Sequence, residues 1–174
     1  MINIIFTAYI ISIMAVHRLY IDEFEAINYS LIAIHTNLED FRLAYFVNQV
    51  LNLNLKKNAE DILLNISEGE TSFTNFIFDD LKNDISWNLF ENKNQVTIKN
   101  DELKIDLFTN TKLQTSKKVF MLPEFKKVDY FLKIDHQDEI CEIDIINNLK
   151  AIERISTVYF IEINKIKNKN NLIF

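Results

Sequence analysis

Glycine, proline, cysteine and tryptophan each occur once in the 174 residues, the first three as Gly69, Pro123 and Cys141. One glycine excludes a P-loop or a dinucleotide-binding fingerprint in recognisable form, because those loops need several residues without a Cβ for backbone N–H groups to reach phosphate. One cysteine excludes a disulfide framework and any C-x-x-C metal pair. The three histidines, His17, His35 and His136, are scattered, with no H-E-x-x-H pattern, so no metal and no cofactor is expected. Arginine is also scarce, with three against 16 lysines.

The chain is otherwise rich in core-forming residues, 48% hydrophobic and 12% aromatic, with a formal charge of -6. That load excludes intrinsic disorder, and the length fits one folded domain. Its 27 isoleucines and 21 asparagines, with so few glycines, are what codon bias in an AT-rich gene produces. Asparagine must then carry turns. It tolerates positive φ better than other non-glycine residues, so Asn92, Asn94, Asn100 and Asn110 are expected where other chains use glycine.

Residues 2 to 16 are uncharged and largely apolar. The run is shorter than the roughly 20 residues of a spanning helix, and it lacks a basic flank and a small-residue cleavage site. A weak membrane anchor, an atypical signal peptide and upstream sequence translated in error all compete. The third is favoured because Met14 opens MAVHRLYIDEF, which alternates at once like a strand. The expected organisation is an extension over 1–13, one domain over 14–163 and a Lys/Asn-rich tail over 164–174, in the cytoplasm and with no stable membrane span.

Alternation and β-branched content predict strands at Ala15–Ile21 and Tyr29–His35. Thr36-Asn37-Leu38-Glu39 has capping-box spacing before a helix from Leu38 to about Leu53. Asp61–Ser67 and Thr71–Phe78 are expected to form a hairpin about Glu68-Gly69-Glu70. Strands are predicted at Ile85–Glu91, Gln95–Lys99 and Leu103–Phe108. Lys117–Leu122 and Val128–Ile134 read as a second hairpin around Pro123. A second helix follows from Ile140 to about Ile152, with Ile143, Ile146, Leu149 and Ile152 on its inner face, and then a strand over Thr157–Ile163. The expected fold is α+β: a largely antiparallel sheet, two main helices packed on one face, and two strand-helix-strand units flanking a β meander. The units are reminiscent of ferredoxin-like halves.

Leu122-Pro123-Glu124-Phe125-Lys126-Lys127-Val128-Asp129-Tyr130 resembles the signature of the IPExxxVDY family of small bacterial proteins, known mainly from Bacteroidetes. Pro123, Glu124, Val128, Asp129 and Tyr130 match it, and Leu122 replaces isoleucine. Ser30–Leu55 and the ending NKNNLIF are also similar to the family, so the likeness runs from about Met14 to Phe174. The family has no assigned activity. The resemblance therefore implies a cytosolic bacterial protein and supplies no catalytic residues.

Four surfaces carry chemistry worth weighing. Glu124 and Asp129 could approach each other across a hairpin, as general acid and base work requires, or could simply accept backbone N–H bonds in a structural turn; the turn needs only local geometry and is preferred. Residues 135–139 are expected to be a solvated loop ahead of a helix, and Cys141 a buried, inert thiol. Lysines interleave with aromatics over 112–133, but no RNA-binding motif is present and nucleic acid is an unlikely partner. On the first helix, Leu43, Ala44, Phe46, Val47, Val50 and Leu51 form the inner stripe. Phe41 and Tyr45 fall elsewhere, among Arg42, Asn48 and Gln49, and this outer side is the expected contact for a protein partner or a second copy. The alternative is a small-molecule or enzymatic site at Leu122–Tyr130. The tail could dock on its own domain or on a neighbour.

Overall fold

The computed structural model describes residues 29–67, 69–99, 114–138 and 140–174. The strands predicted at 15–21 and 103–108, the start-site reading and the turns at Asn100 and Asn110 lie outside them.

Ten strands and two α-helices are present among the described residues. They follow the order β1 (Tyr29–Thr36), α1 (Asp40–Leu51), β2 (Lys56–Lys57), β3 (Ile62–Ile66), β4 (Gly69–Phe73), β5 (Asn75–Asp80), β6 (Ile85–Glu91), β7 (Lys93–Lys99), β8 (Gln114–Phe120), β9 (Tyr130–Asp135), α2 (Glu142–Lys150) and β10 (Ile155–Ile161). Six strands form one antiparallel sheet in the order β10-β1-β9-β6-β5-β2. The fold is thus α+β with a large antiparallel sheet, as the sequence predicts. Two further ladders, β3–β4 and β7–β8, stand apart from that sheet. No helix among the described residues is long and apolar enough to cross a membrane.

Both faces of the sheet are covered, which the alternation of its central strands dictates. On one face Ile32, Ile34, Leu89, Leu132 and Ile134 meet Leu43, Ala44 and Val47 of α1 and Leu149 of α2. On the other, Leu31, Ala33, Phe90 and Phe131 meet Phe73, Met121, Leu122, Ile166 and Leu172. The residues after β10 therefore dock on their own chain, with Ile166 and Leu172 at 3% and 2% exposure. Burying each such side chain contributes roughly 1.5–3 kcal/mol.

Several expectations shift for identifiable reasons. The capping box does not form: Glu39 caps α1 without a side-chain bond, and Thr36 Oγ1 instead accepts from Leu38 N at 3.1 Å and donates to Arg154 O at 2.9 Å. The predicted strand 71–78 breaks at Thr74, where the chain leaves the β3–β4 hairpin for the main sheet. Ile66 pairs with Gly69, so Gly69 closes the turn at φ 134°, a conformation that L side chains rarely adopt. The second predicted hairpin is absent. β8 pairs with β7, while β9 lies between β1 and β6. Only β9-α2-β10 keeps a ferredoxin-like form, enclosing β1; the first unit spreads its strands across the sheet. Positive φ falls at Asn52, which ends α1, and at Asp84, rather than at Asn92 or Asn94. Ile143 is 72% exposed instead of facing inward. Cys141 is exposed at the start of α2, not buried.

Candidate functional site

The segment 122–130 is built around Asn92, which is wholly buried. Its Nδ2 donates to Phe125 O at 2.8 Å and Val128 O at 3.0 Å, and its Oδ1 accepts from Leu122 N at 2.9 Å. Its backbone donates to Asp129 O and accepts from Met121 N. One side chain thus replaces the ladder that a hairpin would have supplied. Pro123 opens a single 3-10 turn, Pro123–Phe125, where a missing N–H costs nothing. Leu122 and Val128 on either side are buried in the core.

The three polar groups of the segment point to three different places. Glu124 Oε1 accepts from Lys167 N at 2.7 Å and Asn168 N at 3.1 Å, and Oε2 accepts from Asn168 Nδ2 at 2.8 Å. Partial burial pushes this carboxyl up, but the N–H groups of Glu124 itself, Asn168 and Lys167 outweigh it and hold the pKa below the usual value. Asp129 Oδ2 accepts from Thr36 N at 3.0 Å, and Oδ1 meets Lys93 Nζ at 2.5 Å. Tyr130 donates its hydroxyl to Leu38 O at 3.0 Å. Burial first, and then the charges of Glu91, Asp40, Asp129 and Glu39, push that phenol well up. These groups hold, respectively, the C-terminal segment, the end of β1 and the approach to α1. They do not converge on one cavity.

On α1 the inner stripe falls as predicted. Leu43, Ala44 and Val47 are buried, with Phe46, Val50 and Leu51 packed beside them. Phe41 and Tyr45 are each 58% exposed. Gln49 continues their row one turn on and donates Nε2–H to Tyr45 Oη at 2.9 Å. Arg42 is exposed beside them. Asn48 differs: its Oδ1 accepts from Leu55 N at 2.7 Å and its Nδ2 donates to Leu55 O at 3.1 Å, so it fastens the loop after the helix. The surface that remains is Phe41, Arg42, Tyr45 and Gln49.

A third constellation joins β1, the loop after β9 and α2. His136 Nε2 lies 3.0 Å from Ser30 Oγ, Ser30 donates to Glu142 Oε1 at 3.0 Å, and His136 Nδ1 faces Asp138 O at 2.8 Å. The loop expected to be merely solvated is thus tied to the sheet. A hydroxyl has one hydrogen, and given to Glu142 it leaves Oγ to accept from the ring. A nucleophile needs the reverse, its proton handed to the histidine. The arrangement is a latch on the start of α2. Sequence alone could not reveal it, since Ser30 and His136 are 106 positions apart and meet only through the β1–β9 register. No group of metal-ligating residues occurs among the described residues.

Comparison with protein-family models, curated proteins and solved structures finds no match to this chain.

Proposed function

We propose that the chain is a non-enzymatic cytosolic bacterial domain of the IPExxxVDY family that binds a protein partner or a second copy through the outer side of α1. The observation that carries this reading is the exposure of Phe41 and Tyr45, each 58%, on a helix whose inner side is fully occupied by other residues. Two aromatic rings one turn apart, with Arg42 and Gln49 beside them, offer the rigid apolar anchors and polar rim typical of protein interfaces. The alternative, a ligand or enzymatic site at Leu122–Tyr130, is disfavoured because Glu124, Asp129 and Tyr130 are bonded to separate backbone segments.

The test is the double variant Phe41→Asp with Tyr45→Asp. Its melting temperature is expected to stay close to that of the parent, while a co-purifying partner or a dimer seen by light scattering is lost. Retention of the complex by a folded double variant would end the proposal.

A further inference from the structure

The face of the sheet away from the helices is covered from two sides, and between the coverings lies a groove of about 610 Å3. Its floor is Asn75 and Ile77 of β5 and Asn88 of β6; one wall is β3 and the other is the C-terminal segment Asn170–Phe174. We propose that this groove binds a neutral, hydroxyl-rich ligand, a saccharide by chemical class, independently of the α1 surface on the opposite face.

Six carboxamides from separate stretches of chain line it: Asn58, Asn65, Asn75, Asn88, Asn170 and Asn171. Asn75 is 2% exposed, and its Oδ1 has no hydrogen-bond partner among the described residues. A buried amide oxygen left unpaired costs about 1–3 kcal/mol, and a ligand donor would recover that cost if the Asn75 side chain turned its oxygen toward the groove. Asn171 gives one Nδ2 hydrogen to Met121 O at 2.8 Å and Asn88 one to Ser86 Oγ at 3.5 Å, but a carboxamide has a second hydrogen and an acceptor oxygen, and a ring carrying several hydroxyls can complement both.

The charges narrow the class. The described residues lining the groove include Glu60 and Asp61 but no lysine or arginine, so a phosphate or carboxylate would meet repulsion without compensation. The adjacent cation, Lys133, pairs in register with Asn88 but is itself occupied. Its Nζ lies 2.9 Å from Asp135 Oδ1 and 5.6 and 5.3 Å from the ring centroids of Tyr29 and Phe174. Carboxylates do accept from hydroxyls, and Ile62, Ile77 and the Phe174 ring offer apolar surface to the C–H side of a sugar. The volume falls within the roughly 300–1,000 Å3 of small-molecule sites. An extended peptide is disfavoured. The floor is a sheet face whose Asn75 O already accepts from Asn58 N at 3.0 Å, which leaves only the outer edge of β3 for a peptide strand to pair with.

The experiment is a titration of the full-length 15N-labelled protein with glucose, N-acetylglucosamine and maltose, beside spermidine and a blocked alanine-asparagine tripeptide. At least one saccharide is expected to shift the side-chain amide signals of Asn75, Asn88 and Asn171 saturably, with dissociation constants up to about 10 mM. Spermidine and the peptide should leave them in place. Asn75→Leu is expected to weaken binding at least tenfold without lowering the melting temperature, because it removes an unpaired carbonyl. Should that variant not fold, Asn58→Ala with Asn170→Ala at the rim is expected to weaken binding several-fold. The proposal fails if no saccharide shifts these signals, if spermidine or the peptide is what saturates them, or if binding survives in the folded variants.

Discussion

The 122–130 segment and the outer side of α1 make opposite use of their polar and aromatic residues. In the first, every group that looks reactive is bonded to backbone: Glu124 to Lys167 and Asn168, Asp129 to Thr36, Tyr130 to Leu38. In the second, two rings are each 58% exposed, and Tyr45 meets Gln49 through its hydroxyl and Phe46 edge to face. A run of carboxylates and a tyrosine around a proline invites a chemical reading. Its groups fasten the C-terminal segment, the end of β1 and the approach to α1. Exposed aromatics on a helix without a motif are the more informative feature, because they stay open where the inner stripe of the same helix is buried.

The comparison would break most visibly at Asn92. Its side chain satisfies one N–H and two carbonyl groups inside the protein, and Asn92→Ala leaves Leu122 N and Val128 O without that partner, while Phe125 O keeps the bond from Val128 N at 2.9 Å. With about 1–3 kcal/mol for each of the two buried groups left unpaired, the loss should be about 2 kcal/mol or more. Urea unfolding measures it. A loss below about 1 kcal/mol would mean that water or relaxation replaces the amide, and that the segment is not organised around this residue.

Asn92 also shows where sequence reading stops. Residue type alone predicts positive φ for it in place of glycine, a local property, whereas its role depends on residues 30 to 36 positions away. Local signals fared better. β6 runs over Ile85–Glu91 as alternation predicts, and the inner stripe of α1 is read correctly from its period. The false hairpin around Pro123 has the same origin as the misreading of Asn92. The strands before and after the turn are strands, but their partners β7, β1 and β6 are chosen by long-range packing. Cys141 is exposed because the helix begins at Glu142, two residues later than its apolar spacing predicts, which leaves the thiol outside the first turn.

A middle-sized effect is expected at Glu124. Its folded pKa is lowered, so the stabilisation is fully present above the unfolded carboxyl value, about 4.3, and is lost as pH falls through the lower folded value. Glu124→Gln keeps one acceptor oxygen and should cost about 1 kcal/mol near neutral pH. The gap between parent and variant should close below the folded pKa. Hydrogen exchange at the amides of Lys167 and Asn168 should rise first, because the carboxylate holds those two groups. A gap of constant size from pH 7 to acid would show that charge plays no part in docking the C-terminal segment.

The smallest effect lies at the seam between the two regions. Glu91 pairs with Tyr130 across the β6–β9 ladder. Its pKa is raised, first by burial and then by the charges of Asp40 and Asp61, against the opposing pull of Lys57 and of the neighbouring Tyr130 hydroxyl. A carboxyl whose folded pKa exceeds its unfolded one favours folding below the unfolded value, and that contribution is lost as pH rises through the folded value. At neutral pH the ionised Glu91 is therefore a liability, and Glu91→Gln should stabilise the protein. Because the site is partly open to solvent, screening limits the gain to about 0.5 kcal/mol. The gain should vanish toward pH 4, which thermal melts across the range would reveal. A loss at neutral pH instead would mean that Lys57 and the Tyr130 hydroxyl together outweigh burial, extending the polar fastening of the 122–130 segment to the foot of the helix whose outer side stays open.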